Sequence, residues 1–411
     1  MRVVMLAPFG IRPKGTLLAR MLPLAQALVR RGHALTIVAP ALQNPQDAGT
    51  RAVYGGVPVL HAPAPRLPGP AAIAELSAAL LRLARAESPQ LIHLFKPKGY
   101  AGLAALAAHT LRPRLPLVVD SDDWEGWGGW NNLLPYPATA KQLFAWQERD
   151  LPHRAASVTV ASRTLESLVW AMGVPPERVF YLPNGVEPDP VTGRQGDTVM
   201  PDKPSAPGHL VTRSPGHLVT LSPTMLLYTR FWELDLRELA AALVALHAAR
   251  PGVRLIVVGR GERGEERELL ALAGRAGFAK LLDYRGWLEP AAIPATIAEA
   301  GIALVPTRDT LVNRARCSAK LLELMGAGLA LVASDVGEAR SFITHEQSGL
   351  LVPPGDPAAL AAAAIRLLDD AELRARLGAG AHAAARRFSW DRLAPTAEAA
   401  YHAALRRVSH A

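Results

Sequence analysis

The sequence predicts an α/β fold made of two doubly wound, Rossmann-like domains, and three observations carry this prediction. Short apolar runs rich in β-branched residues alternate with longer helical patterns, as in parallel sheets with crossover helices. A stretch crowded with Pro, Gly, Ser and Thr, residues 187–223, interrupts this alternation near the middle of the chain. At 411 residues the chain is also too long for one compact core.

The individual elements follow from these patterns in chain order. In the first half we expect strands at Val3–Ala7, Leu35–Ala39, Leu91–Leu94, Leu117–Asp120, Ser157–Val160 and Val179–Leu182. Helical periodicity between them predicts helices at Leu17–Arg30, Ala71–Ala86, Thr139–Leu151 and Thr164–Met172. In the second half we expect strands at Met225–Thr229, Leu255–Val258, Leu282–Tyr284, Ile302–Val305 and Leu331–Ala333.

These elements divide the chain into an N-terminal domain (1–186), a linker (187–223), a C-terminal domain (224–390) and a last helix within 391–411. That helix is long enough to return across the linker and pack on the N-terminal domain. Within the linker, the six residues from Pro207 recur from Pro215 at an eight-residue period. The two histidines of this duplication have metal-binding chemistry, but an extra copy of a tolerated loop explains it better.

The net charge of +9 is placed unevenly. Residues 1–190 hold 19 Lys and Arg against 13 Asp and Glu, whereas residues 223–411 hold 23 against 21. The excess in the first half suits peripheral contact with an anionic membrane surface or a phosphate-bearing acceptor, but a solvated basic face is the reading we favour. Nucleic acid is not expected as a partner, because no Lys/Arg-rich run with interleaved aromatic residues occurs.

The single cysteine, Cys317, allows no internal disulfide, and we find neither a signal peptide nor an apolar run long enough to span a bilayer. We therefore expect a cytoplasmic location. Peripheral attachment at the inner face of the membrane is a second possibility that the sequence leaves open. Cys317 precedes a predicted helix, where an activated thiol and a small packing residue are the alternatives; we favour packing.

Ligands of open parallel sheets bind beyond the carboxyl ends of the strands, which directs attention to the loops there. The loop after the first strand carries Gly15 and leads into a helix, a setting that suits an anion or simply a tight turn. In the second half, Arg230 ends one strand and Gly259 and Gly261 follow the next. A phosphate clamp with a glycine-lined shelf would have this pattern, and so would an ordinary surface arginine beside a strand-to-helix turn.

The segment 318–328 opens a helix directly after an irregular basic stretch. Free amides at a helix start, together with Lys320 and Arg230, have the chemistry to hold a diphosphate. Glu323 lies three residues after Lys320 on the same helix face. Its carboxylate suits the paired hydroxyls of a ribose, and an ion pair with Lys320 is the competing interpretation.

Several segments, in this order, resemble glycosyltransferase family 4, a retaining family with the two-domain GT-B architecture. The segments that carry the resemblance over nearly the whole chain are Leu28–His33, Val160–Leu165, Leu182–Val186, Lys320–Met325 with Gly328, and Ser348–Asp356. The resemblance implies two domains facing across a cleft, with a nucleotide-sugar donor held mainly by the second domain and an acceptor held by the first. It implies no cofactor and no metal, since the nucleotide-diphosphate sugar is a substrate.

Carried onto matching positions, the resemblance makes Glu323 the ribose ligand, Arg230 a diphosphate ligand and Gly15 part of the loop that closes over the phosphates. It places Trp287 beside the nucleobase. It also places the start of the helix, with Ser318 and Leu321, in contact with the donor. Two positions depart from the family pattern: Ala315 stands where a glutamate is usual, and Asp235 where a lysine is usual. We expect the missing positive charge to be replaced by one of three residues, Arg314, Arg316 or Lys320.

The resemblance also places Asp122 near a histidine position of the family, at the reacting face of the sugar. We therefore count Asp122, with Arg230 and Lys320, as a candidate catalytic residue. Trp124 and Trp127 follow at spacing three, and their rings suit stacking on an acceptor sugar or packing beneath a lid. The pair Asp120 and Asp122 has an Asp-x-Asp pattern, but we expect no metal there because GT-B enzymes generally hold the diphosphate with amides and cations.

The predicted activity is retaining transfer of a sugar from a nucleotide-diphosphate sugar to an acceptor glycan, glycolipid or small molecule. Such transfer requires stabilisation of a departing diphosphate and exclusion of water, so no protein nucleophile is needed. Two alternatives share the architecture: a sugar-nucleotide 2-epimerase, and a nucleotide-sugar-binding protein that has lost catalysis. The departures at Ala315 and Asp235 are what decay to a binder would produce.

Overall fold

The computed structural model describes residues 1–12, 15–187 and 223–409, and over these residues the chain forms two α/β domains. The predicted linker with its duplicated octapeptide lies almost entirely in 188–222, outside the described residues.

The N-terminal domain contains the strands β1 (Arg2–Leu6), β2 (Ala34–Ala39), β3 (Arg51–Tyr54), β4 (Val57–His61), β5 (Leu91–Phe95), β6 (Leu117–Ser121), β7 (Ser157–Val160) and β8 (Val179–Tyr181). Its helices are α1 (Leu22–Arg30), α2 (Gly69–Ala86), α3 (Gly99–Leu111), α4 (Trp130–Leu133), α5 (Ala138–Arg154) and α6 (Arg163–Ala171), and a π-helical turn, Leu17–Met21, leads into α1. The sheet has the order β3-β4-β2-β1-β5-β6-β7-β8 and is parallel except for the antiparallel pair β3 and β4.

The C-terminal domain contains the strands β9 (Met225–Tyr228), β10 (Leu255–Val258), β11 (Leu282–Gly286), β12 (Ile302–Val305), β13 (Ala330–Ser334) and β14 (Leu350–Val352). Its helices are α7 (Leu236–Ala249), α8 (Glu265–Ala276), α9 (Ile293–Ile297), α10 (Leu311–Ala315), α11 (Ala319–Gly326), α12 (Ala339–Phe342), α13 (Pro357–Asp369), α14 (Ala371–Ala385) and α15 (Trp390–Ser409). All six strands are parallel, in the order β11-β10-β9-β12-β13-β14.

Burial explains why the central strands were recognisable. Every residue of β5, β6, β7, β10 and β13 is buried, as expected for parallel strands covered by helices on both faces. All eleven predicted strands are confirmed within a residue or two at their ends. The structure adds three strands that were not predicted: the edge hairpin β3–β4, which turns at Gly55 and Gly56, and the three-residue β14.

The last helix, α15, packs on the N-terminal domain although it follows the C-terminal one. Its buried residues Trp390, Ala397 and Tyr401 lie in the same apolar cluster as α1 and the strands beside it. At its start the backbone of Val186 pairs with Phe388 and Trp390, with N···O distances of 2.9 and 3.2 Å. The chain therefore crosses between the domains twice at one place. Neither α15 nor any other helix of the described residues has the length and apolar character that a bilayer span requires.

One glycine beside this crossing has a packing reason. A Cβ atom on Gly185 would lie 2.7 Å from the Trp390 ring and 2.8 Å from the Phe388 carbonyl oxygen. Any side chain there would push α15 away from the crossing. The Asn184-Gly185-Val186 segment is thus shaped by contact between the domains.

Candidate functional site

The two sheets meet through their carboxyl-end loops, and polar contacts join the domains there. The Asn184 side-chain amide donates to the Cys317 carbonyl oxygen at 2.7 Å, and the Ser162 hydroxyl donates to the Ala315 carbonyl oxygen at 2.5 Å. The Tyr181 hydroxyl donates to the Glu338 carboxylate at 2.5 Å. The segment 315–317, immediately before α11, therefore lies directly against the N-terminal domain.

A buried carboxylate, Glu233, organises the cations at this edge of the C-terminal sheet. One of its oxygens accepts from the Arg316 guanidinium at 3.0 Å and from the Lys320 ammonium at 3.4 Å. Its other oxygen accepts from the Thr229 hydroxyl and the Arg230 backbone N–H, both at 2.9 Å. We call these five residues the Glu233 cluster. Sequence reasoning missed Glu233, because a glutamate in a strand-to-helix loop carries no signal of its partners.

The charges within the Glu233 cluster shift each other's ionisation. Burial alone would favour the neutral acid, but Lys320 and Arg316 outweigh it and hold the pKa of Glu233 well below its ordinary value. The pKa of Lys320 is lowered, first by burial and then by the positive charges of Arg316 and Arg230, although Glu233 opposes this. The cluster thus holds more positive than negative charge in a poorly solvated place, which is where an anion binds strongly.

Arg230 contributes a backbone N–H to this cluster, while its guanidinium pairs outside the cluster, near enough for its charge to lower the pKa of Lys320. The guanidinium pairs with Glu262 and lies 5.8 Å from the centre of the Trp130 ring. The predicted diphosphate site uses the Arg230 guanidinium together with Lys320, and in this structure that guanidinium would have to leave Glu262 to bind the same ligand as Lys320.

The three predicted substitutes for the missing lysine differ in position. Arg316 and Lys320 belong to the Glu233 cluster, whereas the structure does not bring Arg314 to it. The Arg314 guanidinium is 56% exposed and pairs with Asp309 on the surface. The reason is local, since Arg314 lies within α10 and Arg316 follows its end in extended backbone, so their side chains leave in different directions.

The helix predicted within residues 318–328 is α11, which begins directly after Ser318. The Ser318 hydroxyl caps the helix by accepting from the Leu321 backbone N–H at 3.3 Å. Two residues after Ser318, the Lys320 ammonium lies over the ring of Tyr228, 5.0 Å from its centre. The pKa of the Tyr228 hydroxyl is raised, first by burial and then by the negative charge of Glu323. Lys320 and Glu323 therefore flank the same tyrosine at the end of β9.

Local packing accounts for the two glycines after β10, Gly259 and Gly261. Gly259 has a φ of +131°, and a Cβ atom there would lie 1.7 Å from the Thr229 carbonyl oxygen. Gly261 donates its N–H to Glu266 at 2.9 Å. Trp287, the predicted neighbour of the nucleobase, follows β11 and is 51% exposed, so part of its side chain is accessible to a ligand.

On the opposite side, Asp122 is buried at the end of β6. The Thr16 hydroxyl, next to Gly15, donates to one of its oxygens at 3.3 Å, and the Lys96 ammonium lies 3.3 Å from the other. Burial raises the pKa of Asp122 to about 7, against the opposing charge of Lys96. The loop of Gly15 and the candidate acidic residue are thus in contact.

Sequence reasoning missed two buried lysines in the loop after β5, one of which contacts Asp122. Lys96 and Lys98 directly follow β5, and their carboxylate partners are Asp122, Asp123 and Glu125. A signal existed, because a Lys-Pro-Lys-Gly sequence at the carboxyl end of a predicted central strand falls where ligands of such sheets bind.

A chain of hydrogen bonds joins the aspartates at the end of β6 to the residues just before α11. Arg20 donates to Asp120 at 2.7 Å and to the Asn184 side-chain oxygen at 3.1 Å, and Asn184 in turn donates to Cys317, next to Arg316. Cys317 itself is buried, and burial raises the pKa of its thiol to about 12. The thiol is therefore unactivated and serves packing, the favoured of the two interpretations.

The tryptophans after β6 line the junction of the domains. The Trp124 indole donates to the Trp127 carbonyl oxygen at 2.7 Å, and Trp127 is 54% exposed. The next one, Trp130, packs edge-on against Trp232 of the C-terminal domain, with ring centres 4.8 Å apart. These two rings border an interdomain cavity of about 260 Å³ that also involves Glu262.

Each half of the chain matches the domain of a known protein family. Residues 15–185 match the glycosyl transferase 4-like domain, and residues 222–370 match the glycosyl transferases group 1 domain. The chain carries two glycosyltransferase domains. Together these matches cover every strand except β1 and every residue of the Glu233 cluster.

Curated relatives of this glycosyltransferase include a D-inositol 3-phosphate glycosyltransferase from Xylanimonas cellulosilytica, 28% identical over 94% of this chain and 91% of that protein. A phosphatidyl-myo-inositol mannosyltransferase from Mycolicibacterium smegmatis is 34% identical over 154 residues, 37% of each chain. The match thus spans little more than a third of the mycobacterial relative's length.

Solved structures confirm the predicted GT-B fold of the glycosyltransferase. Sucrose-phosphate synthase from Thermosynechococcus elongatus superposes with a TM-score of 0.71 at 18% identity, covering 98% of both chains. Anabaena HepE in complex with UDP and glucose superposes with a TM-score of 0.68 at 19% identity, covering 97% of this chain and 98% of that one.

Proposed function

We propose that this glycosyltransferase transfers a sugar from a nucleotide-diphosphate sugar to a hydroxyl of its acceptor, with retention at the anomeric carbon. The observation that carries the proposal is the Glu233 cluster, in which Arg316 and Lys320 meet on one buried carboxylate at the start of α11. Two clustered cations beside a helix start suit a diphosphate, whose charge rises as the glycosidic bond breaks.

In this mechanism each half of the molecule has one task. Arg316 and Lys320 stabilise the departing diphosphate, and Arg230 joins them when its guanidinium exchanges Glu262 for phosphate. Glu323 and Trp287 hold the nucleoside. The N-terminal domain presents the acceptor at Asp122, and a phosphate oxygen of the leaving group takes the proton of the attacking hydroxyl on the same face of the sugar.

For the acceptor we propose a cyclic polyol or sugar, free or attached to a lipid. The named activities of the relatives support this class, since one acts on D-inositol 3-phosphate and another on phosphatidyl-myo-inositol. The excess of positive charge in residues 1–190 is compatible with a phosphorylated acceptor or one in an anionic membrane. We therefore keep a cytoplasmic enzyme with peripheral membrane contact as part of the proposal.

A nucleotide-sugar-binding protein without catalysis is the second candidate, because two family positions are altered in specific ways. Ala315 is fully buried against the N-terminal domain, so its side chain faces no open donor site. Asp235 caps α7, accepting from the backbone N–H groups of Arg237 and Glu238. Both positions serve the fold, and any donor-sugar contact they would supply must come from other residues.

The experiment that tests the proposal uses the full chain and a panel of UDP-, GDP- and ADP-sugars. Acceptors are myo-inositol, D-inositol 3-phosphate and vesicles containing phosphatidylinositol, with released nucleotide and glycosylated product as readouts. Product with one donor establishes transfer, and its anomeric configuration tests retention. Thermal stabilisation by a donor without turnover would overturn transfer in favour of the binder, and an epimerised free donor would favour the 2-epimerase.

The phosphate ligands are tested by Arg316→Ala and Lys320→Ala, with Arg314→Ala as the matched control. A charge-assisted hydrogen bond contributes about 1.5–3 kcal/mol, so each site variant should weaken nucleoside diphosphate binding by about 10- to 100-fold. Arg314→Ala should bind normally, because that guanidinium faces Asp309. Equal affinities in all three variants would rule out the Glu233 cluster as the diphosphate site.

A further inference from the structure

Lys96 is a buried cation directly after β5 that the mechanism above does not use. Its side chain is 6% exposed, and its ammonium lies 3.3 Å from an oxygen of Asp122 and 3.3 Å from one of Glu125, and bonds to Asp123. An ammonium in such a place is tolerated only when it is paired and hydrogen-bonded, and here three carboxylates surround it.

The backbone directs this side chain inward. Lys96 has a φ of +53°, a left-handed conformation that costs a non-glycine residue on the order of 1 kcal/mol or more. Its N–H donates to the Asp120 carbonyl oxygen at 3.0 Å, and its own carbonyl oxygen accepts from the N–H of Lys98 at 2.7 Å. Such strain persists where the surroundings hold it, and what holds it here is the group of carboxylates.

Lys96 is the cation in contact with Asp122. The other groups that face Asp122 are the Thr16 hydroxyl, the negative charges of Asp120 and Asp123, and the guanidinium of Arg20. That guanidinium is committed to Asp120, Asn184 and the Leu182 carbonyl oxygen. Lys98, two residues on, bonds to Glu125 and Tyr136.

We propose that Lys96 is a positioning residue that holds the Asp122 carboxylate in place and favours its ionised form. The inference rests on the proposed function, in which Asp122 meets the acceptor or the reacting sugar. An ionised Asp122 accepts a hydrogen bond from a substrate hydroxyl and faces the positive charge that develops on the sugar, whereas a protonated one does neither as well.

The first test measures the titration of Asp122 itself by ¹³C NMR of the full chain labelled at aspartate carboxyl carbons, with Asp122→Asn assigning the signal. In Lys96→Met the midpoint of the Asp122 signal should rise by about 1 to 3 pH units, because the nearest opposite charge is gone. Lys98→Met is the matched control. It removes a buried lysine from the same loop but no contact of Asp122, so its midpoint should stay at the wild-type value.

Folding of the variants is checked by thermal unfolding, because removing Lys96 leaves buried carboxylates unpaired. Lys96→Gln is the second neutral variant, retains a hydrogen-bond donor and must show the same rise. An unchanged midpoint in the folded Lys96 variants, or an equal rise in Lys98→Met, would overturn the proposal.

The second test is the pH profile of sugar transfer. The acid limb of kcat/KM should move upward with the NMR midpoint in Lys96→Met, so that activity falls about tenfold per pH unit of displacement at low pH and recovers at high pH. If wild-type protein turns over no donor, the proposed function fails, while the NMR titration still decides the role of Lys96. A uniform loss of activity at every pH would contradict the positioning role.

Discussion

Replacing Glu233 by glutamine removes the negative charge on which the cations of the proposed donor site converge. The carboxylate accepts four hydrogen bonds, from Thr229, the Arg230 N–H, Arg316 and Lys320. A glutamine amide has one oxygen, so its NH₂ group must face either the cations or the neutral donors. Breaking a buried ionic pair from one side costs about 3–5 kcal/mol, and we expect Glu233→Gln to lose stability of that size.

Thermal unfolding measures this loss. For a domain of 150–250 residues each kcal/mol lowers Tm by about 2–4 °C, which gives a drop of about 6–20 °C for the C-terminal domain. A diphosphate supplies the missing negative charge, so nucleoside diphosphates should raise Tm by more in Glu233→Gln than in wild type. The parent nucleoside, which has no phosphate, should raise the two alike and serves as the control.

The pH dependence of the loss has a definite sign. The folded pKa of Glu233 is depressed, so its stabilisation is fully present above the ordinary glutamate pKa of about 4.3 and disappears as the pH falls toward the folded pKa. The stability gap between wild type and Glu233→Gln should therefore be constant from pH 7 to 5 and shrink below about pH 4, as followed by urea unfolding. A gap independent of pH, or equal stabilisation by nucleoside and nucleoside diphosphate, would refute this reasoning.

Three further substitutions separate roles that the structure assigns to other residues. Asp235→Ala removes the cap of α7 and should cost about 1 kcal/mol in urea unfolding while leaving nucleotide affinity unchanged; a tenfold weaker affinity would place Asp235 in the site. Trp287→Ala should weaken nucleotide binding by about 5- to 100-fold in calorimetry with little change in Tm, and an unchanged affinity would place the base elsewhere. Glu398→Gln should cost about 0.5–1 kcal/mol of stability and speed hydrogen exchange in α15, because Arg31 and His33 lose their charged partner. The pKa of Glu398 is lowered to about 2, chiefly by its hydrogen bond with Arg31, so the effect should fade between about pH 4 and pH 2. Unchanged exchange at pH 7 would show that apolar packing alone holds the helix.

The sequence predicted the central strands because parallel strands buried on both faces read as continuous apolar runs. It did not predict the edge hairpin β3–β4, whose first strand alternates exposed and half-buried residues over four positions and whose second contains Pro58. Strand β14 is three residues long, too short for a period to show. Edge and very short strands are defined by pairing with neighbours, which a local pattern does not contain.

The site was predictable as a set of loops, and its side-chain partners were not. Strand ends placed Arg230 and Asp122 at the facing edges and a helix start placed Lys320 there, but the commitment of Arg230 to Glu262 depends on a residue 32 positions away. The roles of Glu233 and Lys96 likewise arise from contacts across 87 and 27 positions, to Lys320 and to Asp123. Periodicity carries no information about pairs of this kind.

The two departures from the family pattern fit a rearranged donor site better than decay. Relative to the family, Asp235 removes a positive charge, and its carboxylate is used for the cap of α7. Arg316 brings a positive charge to the same edge of the sheet, where Glu233 holds it beside Lys320. Random loss would leave buried charges without partners, which is costly, whereas here each altered position has a defined role and the cations needed for a diphosphate remain. Because of this arrangement we expect catalysis, and we expect Arg316→Ala but not Arg314→Ala to weaken the binding of nucleoside diphosphates.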